Sequence, residues 1–270
     1  MNAPQSSVQH AKHSPLPPLK TLEISVITAT WNCKATVADC LASVAGQTHP
    51  HIEHVVVDGA STDGTLGVLQ AHREQLAVLH SAPDQGIYDA LNKGLALATG
   101  DVVGFLHADD LYAHPGVLAQ VAAAFEDPAV CAVYGDLRYV RKDKTSQVVR
   151  HWASSPFTRQ RLAWGWMPPH PTLYVRRGWY ERIGGFDTRY RIAADYLSIL
   201  QLFSQPGFQA SYLPEVLVHM RLGGASNKSV KAVARKSLED WRALRQTGVG
   251  AWGGVGALVW KNLSKVSQFQ

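Results

Sequence analysis

Two adjacent carboxylates, Asp109 and Asp110, follow the short apolar run VVGFL and the imidazole of His107. Neighbouring acids repel, so a bound cation or a hydrogen-bonding ligand is the natural way to keep both ionised. Asp58 closes another apolar run and opens the polar stretch DGASTDGT, which also holds Asp63. A carboxylate at a strand end can accept from a base N–H or a ribose hydroxyl, or bind a metal that holds a diphosphate. The alternative for Asp58 and Asp63 is turn formation and helix capping. Capping is at least as strong a reading for Asp63, whereas for Asp58 the ligand reading leads.

The elements that must position these acids alternate in type. Ile24 to Thr30 (ISVITAT) is a β-branched run suited to a central parallel strand. Val37, Leu41 and Val44 mark a helical face that stops at Gly46. Strands are predicted over Ile52 to Val57 and Leu76 to His80, and the VVGFL run is a fourth, covered on both faces. Before that run, Ile87, Leu91, Leu95 and Ala98 recur at helical spacing and are expected to face a core. Asp89 precedes Lys93 in the favourable order for a helical ion pair, and Gly100 can take the left-handed conformation that ends such a helix. Four strand–helix alternations in about 110 residues predict an α/β fold with a doubly wound, mainly parallel sheet. In such sheets ligands bind beyond the carboxyl ends of the strands, where Asp58, Asp109 and Asp110 stand.

The 270 residues suffice for one large core, and 46% hydrophobic with 17% charged residues is a globular composition. A net charge of +5 and a pI near 9.1 suit anionic partners in a general way. Cys33, Cys40 and Cys131 form no CxxC pair and no zinc spacing, which fits buried free thiols in a reducing compartment. Residues 1–21 are rich in Pro, Ser and Gln without an apolar h-region, and are expected to be a disordered lead-in rather than a secretory signal. No window approaches the roughly 20 apolar residues of a membrane span. Neither GxGxxG nor GxxxxGK[ST] is present, which disfavours a Rossmann dehydrogenase and a P-loop NTPase.

Three ordered motifs, ISVITATWN, VVVDGASTDGT and DQGIYDALNKGLALATGDVVGFLHADD, resemble the signature of family 2 glycosyltransferases, which have the GT-A fold. The resemblance spans roughly residues 22 to 226 and is similar to the bacterial colanic-acid and surface-polysaccharide branch. It implies an inverting, metal-dependent transferase that uses a nucleotide-diphosphate sugar with Mg²⁺ or Mn²⁺. In that reading Asp58 contacts the nucleobase, and Asp109 and Asp110 are the DxD-type acids, Asp110 the more direct metal ligand. Thr30, Asn32, Asp84, Asn92 and Lys93 in the same motifs are donor-site candidates. Two departures stand out: His107 replaces a third acid of many relatives, and Leu91 replaces an Arg.

Beyond Asp110 the predicted elements are a helix from Val117 to Phe125, a strand from Val130 to Tyr134 and a hairpin from Leu137 to Val149 with a solvated basic tip, RKDKTSQ. Trp164 and Trp166 in WGWMPPHP are placed equally between acceptor contact and core packing, and His170 between an acceptor role and a structural hydrogen bond. GGFD followed by IAADY resembles the family element that sets an acid at the start of a helix facing the donor. Asp195 is therefore the candidate base for the acceptor hydroxyl. Strand Val216 to Arg221 sets His219 and Arg221 on one face, as diphosphate candidates or as polar positions of an edge strand.

From Lys228 to Arg245 the pattern is an amphipathic helix with Val230, Val233, Leu238, Trp241 and Leu244 on one side and a basic face of Lys228, Lys231, Arg235, Arg242 and Arg245. Residues 227–270 are read as a C-terminal helical appendage. Docking on the domain is the default, and attachment to anionic lipid, aided by Trp252, Trp260, Lys261 and Lys265, is the sharper alternative. The expected partners are a nucleotide-diphosphate sugar, a glycan or lipid-linked oligosaccharide acceptor and an inner-membrane surface, with no nucleic acid. The expected location is the cytoplasm or the cytoplasmic face of the inner membrane. The rival readings are a nucleotidyltransferase, recognisable by pyrophosphate release, and a sugar-nucleotide-binding module without turnover.

Overall fold

The computed structural model describes residues 21–223, 230–250, 254 and 256. Residues 1–20, Lys228, Trp252, Trp260, Lys261 and Lys265 lie outside the described residues, as do the side chains of Val230, Lys231 and Val233.

The first half of the chain lays down a parallel half-sheet. Strands β1 (Ile24–Thr30), β2 (Ile52–Asp58), β3 (Val78–Ser81) and β4 (Val102–Phe105) alternate with helices α1 (Val37–Ala45), α2 (Thr65–Ala71) and α3 (Ile87–Leu97). β1 is central here, parallel to β2 on one side and β4 on the other, with Thr30 beside Asp58. The chain continues through β5 (Leu111–Tyr112), α4 (Val117–Ala124), β6 (Ala132–Val140), β7 (Val148–Trp152), α5 (Arg159–Ala163), β8 (Tyr174–Arg176), α6 (Arg177–Ile183), α7 (Ala194–Ser204), β9 (Ala210–Arg221) and α8 (Val230–Thr247). The sheet runs β3-β2-β1-β4-β8-β6-β9-β5, with β7 paired to β6. Beyond β4 it is mixed: β8 is antiparallel to β4 and β6, and β9 is parallel to β6. Alternate residues of each strand feed opposite faces. Ile27, Val103 and Phe105 join one core with α3, α6, α7 and α8, while Val26, Val102 and Leu106 join the other with α1 and α4.

Four local expectations are corrected. Ile87 is exposed, because the buried stripe of α3 starts one residue later and runs through Leu91, with Tyr88 and Leu95 partly covered. Gly100 is not left-handed; α3 already ends at Ala98. A side chain at position 100 would instead strike Ser25, so closeness to β1 is what requires glycine there. On α8, Leu238 is exposed and the docked side is Glu239, Asp240, Ala243 and Leu244. The physical reason is a set of backbone N–H donors waiting for Glu239, described below. β9 is also longer than expected and lies inside the sheet, between β6 and β5.

Candidate active site

The carboxyl ends of β1 and β2 carry two linked loops. Asp58 is fully buried at the end of β2. Its Oδ1 accepts from Thr30 Oγ1 (3.0 Å) and Ser61 Oγ, and its Oδ2 from Ser61 N (3.0 Å) and Ser81 Oγ (2.8 Å). Four donors fill the four lone-pair positions of a carboxylate. Burial works against its charge, but the bonds from Ser61, Ser81 and Thr30 outweigh burial and hold the carboxyl below its usual range. Asn32 and Ala60, both non-glycine, sit in the left-handed region at φ 49° and 58°. Such backbone costs of order 1–3 kcal/mol and collects at functional sites. Asn32 accepts from Thr62 N and gives its own N–H to Ser61 Oγ, each at 2.9 Å, which locks the loops together. Asp63 accepts from Lys34 N and Thr65 N, the turn-and-cap role. Asp84 accepts from Gly86 N at 2.8 Å and lies over Gly59, where a Cβ would strike it. Trp31, 70% exposed, stands at the mouth of these loops.

The acid pair sits on the turn after β4, pinned by Leu106 N to Ile27 O (3.1 Å) and Asp110 N to His107 O (2.9 Å). Asp109 keeps accessible surface, while Asp110 has none. Asp110 Oδ1 accepts the backbone N–H of Arg221 at 3.2 Å, and Oδ2 has no hydrogen-bond partner among the described residues. Burial and then the charge of Asp109 push the Asp110 carboxyl well above its usual range, against the pull of Arg221. A buried acid with an empty oxygen beside a second acid fits a divalent cation. Among the described residues no three His, Cys, Asp or Glu side chains converge on one point. The donor set thus suits an ion that takes one or two carboxylates and completes its shell from substrate phosphates and water.

Behind the pair, Arg221 is buried, with Nη1 on the carbonyl of Asp109 (3.1 Å) and Nη2 paired with Asp39. The structure therefore shows Arg221 bracing the acid turn from the rear. His219 is half-buried beside β5, and its charged neighbours are Arg138 and His114 rather than the acids.

Asp195 reaches the same place from the first turn of α7. Its turn is held by α3: the Tyr88 hydroxyl lies 2.7 Å from the carbonyl of Ile192 and 3.1 Å from Asp195 Oδ1. A phenol has one proton. The two oxygens share it, so Tyr88 ties the Asp195 carboxylate to the carbonyl of Ile192. One turn along α3, Asn92 bonds both the N–H and the carbonyl of Phe186 at 2.8 Å. Gly185 is left-handed at φ 73°, and a side chain there would meet Asn92, so the GGF turn needs glycine twice over. Phe186 stacks on Tyr88 (5.7 Å) and meets Phe105, the last residue of β4, edge to face (5.2 Å).

Two histidines fill the space between. His107 is held neutral by burial against the pull of Asp109 and Asp195. His170 stacks on Phe105 at 5.4 Å and faces His107 at 6.1 Å. Burial, with a smaller opposing pull from Asp195, lowers His170 to about 4, and neither ring nitrogen has a hydrogen-bond partner among the described residues. Asp109, His107, Asp195 and His170 thus form one electrostatic group.

Other predicted residues are engaged elsewhere. Trp166 packs on Tyr134, Phe157 and Phe203, at 5.6, 5.9 and 6.0 Å, which is the core alternative; Trp164 is exposed. Lys93 bonds Asp89 and the carbonyl of Pro83, each at 3.0 Å, and Asn92 spends both polar atoms on Phe186. Tyr88, Ser81 and Trp31 were not singled out by sequence reasoning. The signal for Tyr88 was available: it shares the α3 face of Leu91, Asn92 and Leu95 at i, i+3, i+4 and i+7.

The sequence profile described as glycosyl transferase family 2 matches residues 25–188. Over 211 residues the chain is 36% identical to a "PGL/p-HBAD biosynthesis glycosyltransferase" of Mycobacterium bovis, covering 76% of this chain and 80% of that one. It is 32% identical to an uncharacterized glycosyltransferase of Nostoc sp. over 81% of its own length and 70% of the relative's. Among solved structures, residues 1–349 of S. aureus TarS with UDP-GlcNAc superpose with a TM-score of 0.67 at 21% identity, over 84% of this chain and 66% of that one. In a longer TarS structure the match spans 39% of that chain. The Pyrobaculum calidifontis mannosyltransferase PcManGT with GDP-Man and Mn²⁺ gives 0.64 at 22% identity, over 90% and 70%. These structures share the GT-A fold with this chain.

Proposed function

Because the chain belongs to glycosyl transferase family 2, we propose that it is an inverting transferase that moves a sugar from a nucleotide-diphosphate donor to a glycan or lipid-linked hydroxyl. The observation that carries this is the contact chain between the two acid-bearing elements: Phe105, at the end of the strand before Asp109, meets Phe186, which stacks on Tyr88, whose hydroxyl reaches Asp195. Asp195 takes the acceptor hydroxyl proton. The freed oxygen attacks the anomeric carbon from the face opposite the diphosphate, and the bond to the phosphate oxygen breaks with its electrons leaving on the diphosphate. Trp31 offers an exposed ring for the nucleobase, and the Asn32 and Ala60 loops hold it in place. Asp109 and Asp110 would hold Mg²⁺ or Mn²⁺, and such an ion would supply positive charge where the leaving group becomes negative.

Names of relatives in PGL/p-HBAD biosynthesis support a surface glycoconjugate as the product. Among the described residues no helix is long and apolar enough to cross a membrane. A peripheral place on the cytoplasmic face suits a lipid-linked acceptor.

The test is nucleotide-diphosphate release from UDP-, GDP- and dTDP-sugars, with and without Mn²⁺, in a membrane lipid extract. Metal-dependent release from one donor, lost in Asp195→Asn with donor binding retained, is the expected result. Pyrophosphate release from a nucleoside triphosphate, or nucleotide binding without any turnover, would overturn it.

A further inference from the structure

α8 reaches into the turn that carries Asp195. Glu239 is buried, and its Oε2 accepts the backbone N–H groups of Ile192 (2.8 Å) and Ala193 (3.0 Å), while Oε1 accepts that of Arg191 (3.2 Å). Ala193 is the N-cap of α7 and has no capping side chain of its own. Backbone N–H groups buried in the turn ahead of a helix need an acceptor, and a carboxylate there also complements the helix dipole. The carbonyl of Ile192, whose N–H Glu239 holds, takes the Tyr88 hydroxyl, which also reaches Asp195. The turn is therefore gripped on its donor side by α8 and on its acceptor side by α3. Ala243 and Leu244 of α8 lie in the same core as Ala193, Ala194 and Tyr196. A separate bond, Tyr190 Oη to Gln246 Oε1 at 2.9 Å, ties α8 to the preceding loop without touching residues 191–193.

We propose that Glu239 is a positioning residue for the transfer reaction: supplied from the C-terminal helix, it holds the three backbone N–H groups of the turn that enters α7 and so sets the place of the Asp195 carboxylate. The inference rests on the reading of Asp195 as the base. α8 is then part of the active-site framework as well as an appendage.

The test compares Glu239→Gln, Glu239→Asp and Gln246→Ala in the full chain, using the sugar nucleotide that the donor panel identifies. Gln keeps the size of Glu but turns an amide donor toward backbone donors. Expected for Glu239→Gln is a kcat loss of about 10- to 100-fold with donor KM within about twofold, and partial recovery in Glu239→Asp. Amide hydrogen exchange should quicken at 191–193 in Glu239→Gln and not in Gln246→Ala, which should also keep its kcat. Unchanged kcat or unchanged exchange in Glu239→Gln would overturn the proposal, as would an equal kcat loss in Gln246→Ala. Asp195→Asn run alongside separates the two readings. If it loses turnover while Glu239→Gln does not, only the role of Glu239 falls; if it keeps turnover, both fall. In the double variant Glu239→Gln should cost nothing beyond Asp195→Asn, and a further loss would assign Glu239 to some other group.

Discussion

Asn92 and Phe186 are 94 residues apart, yet the carboxamide of one closes both backbone hydrogen bonds of the other at 2.8 Å. Through this grip the helix that precedes the acid strand also sets the loop that leads to Asp195. Asn92→Asp keeps the bond from Phe186 N but loses the donor and sets a carboxylate against a carbonyl. The expected cost is about 1–3 kcal/mol of stability, with turnover falling further than donor affinity. Denaturant unfolding and steady-state kinetics check both.

Asp110 is ionised only at a cost in metal-free protein, because its carboxyl is buried beside Asp109. Its folded pKa lies above the unfolded one, so the stabilising effect is complete at low pH and is lost as pH rises above the ordinary carboxylate range. In chelator-treated samples at neutral pH, Asp110→Asn should melt higher than the parent. Added Mn²⁺ should raise the melting temperature of the parent and not of the variant, while the variant loses turnover. A variant that melts lower without metal would contradict this.

His54 gives the opposite slope. It is buried on β2, with Nε2 3.0 Å from Thr28 Oγ1, and burial lowers it from 6.5 to about 4. Below the unfolded pKa the unfolded chain binds the extra proton, so stability falls as pH falls from 6.5 toward 4. At about 1.4 kcal/mol per pH step the loss is on the order of 3 kcal/mol. His54→Gln should show a correspondingly smaller difference between urea unfolding at neutral pH and at about pH 4.5.

Gly94 tests the fit of α3 on β1. Ala in a helix interior ordinarily gains about 0.5–1 kcal/mol over Gly. Here its Cβ would lie well inside contact of Ile27 Cγ2, and overpacking costs typically 1–3 kcal/mol. Gly94→Ala should therefore be net destabilising in denaturant unfolding.

The acids at the strand ends were legible because their placement follows from local pattern: apolar runs end at Asp58 and Asp109, and parallel order brings the ends together. Asp195 was legible through its motif. What the pattern could not reveal is which polar side chains serve distant backbone. Asn92 and Arg221 look like ligand groups, but their partners, Phe186 and the Asp109–Asp110 turn, lie 94 to 112 residues away. Glu239 was hidden for a related reason. In an amphipathic helix an acid reads as solvated, and only the backbone N–H groups of the turn at 191–193 make it a buried acceptor. Trp166 shows the limit for aromatic residues, since a ring for a sugar and a ring for Phe203 have the same sequence signature.

The turn of Asp109 and Asp110 is tied to Ile27 on β1 and to Arg221 at the end of β9, and β5 just after it pairs with β9. The two ends of that frame leave the ribosome far apart in time. Arg221 follows Asp110 by 111 residues, which at about 5–20 residues per second is a delay of roughly 5 to 20 seconds. Contacts of such sequence separation are also slow to close. During that interval β1 to β4 can assemble with the loops around Asp58, but Asp110 has no backbone N–H from Arg221 to accept. A nascent chain, or one cut before β9, would hold the residues of the Asp58 loops and lack a finished acid turn. On the proposed reading, competence for nucleotide contact precedes competence for transfer, which waits first for β9 and then for Glu239 on α8.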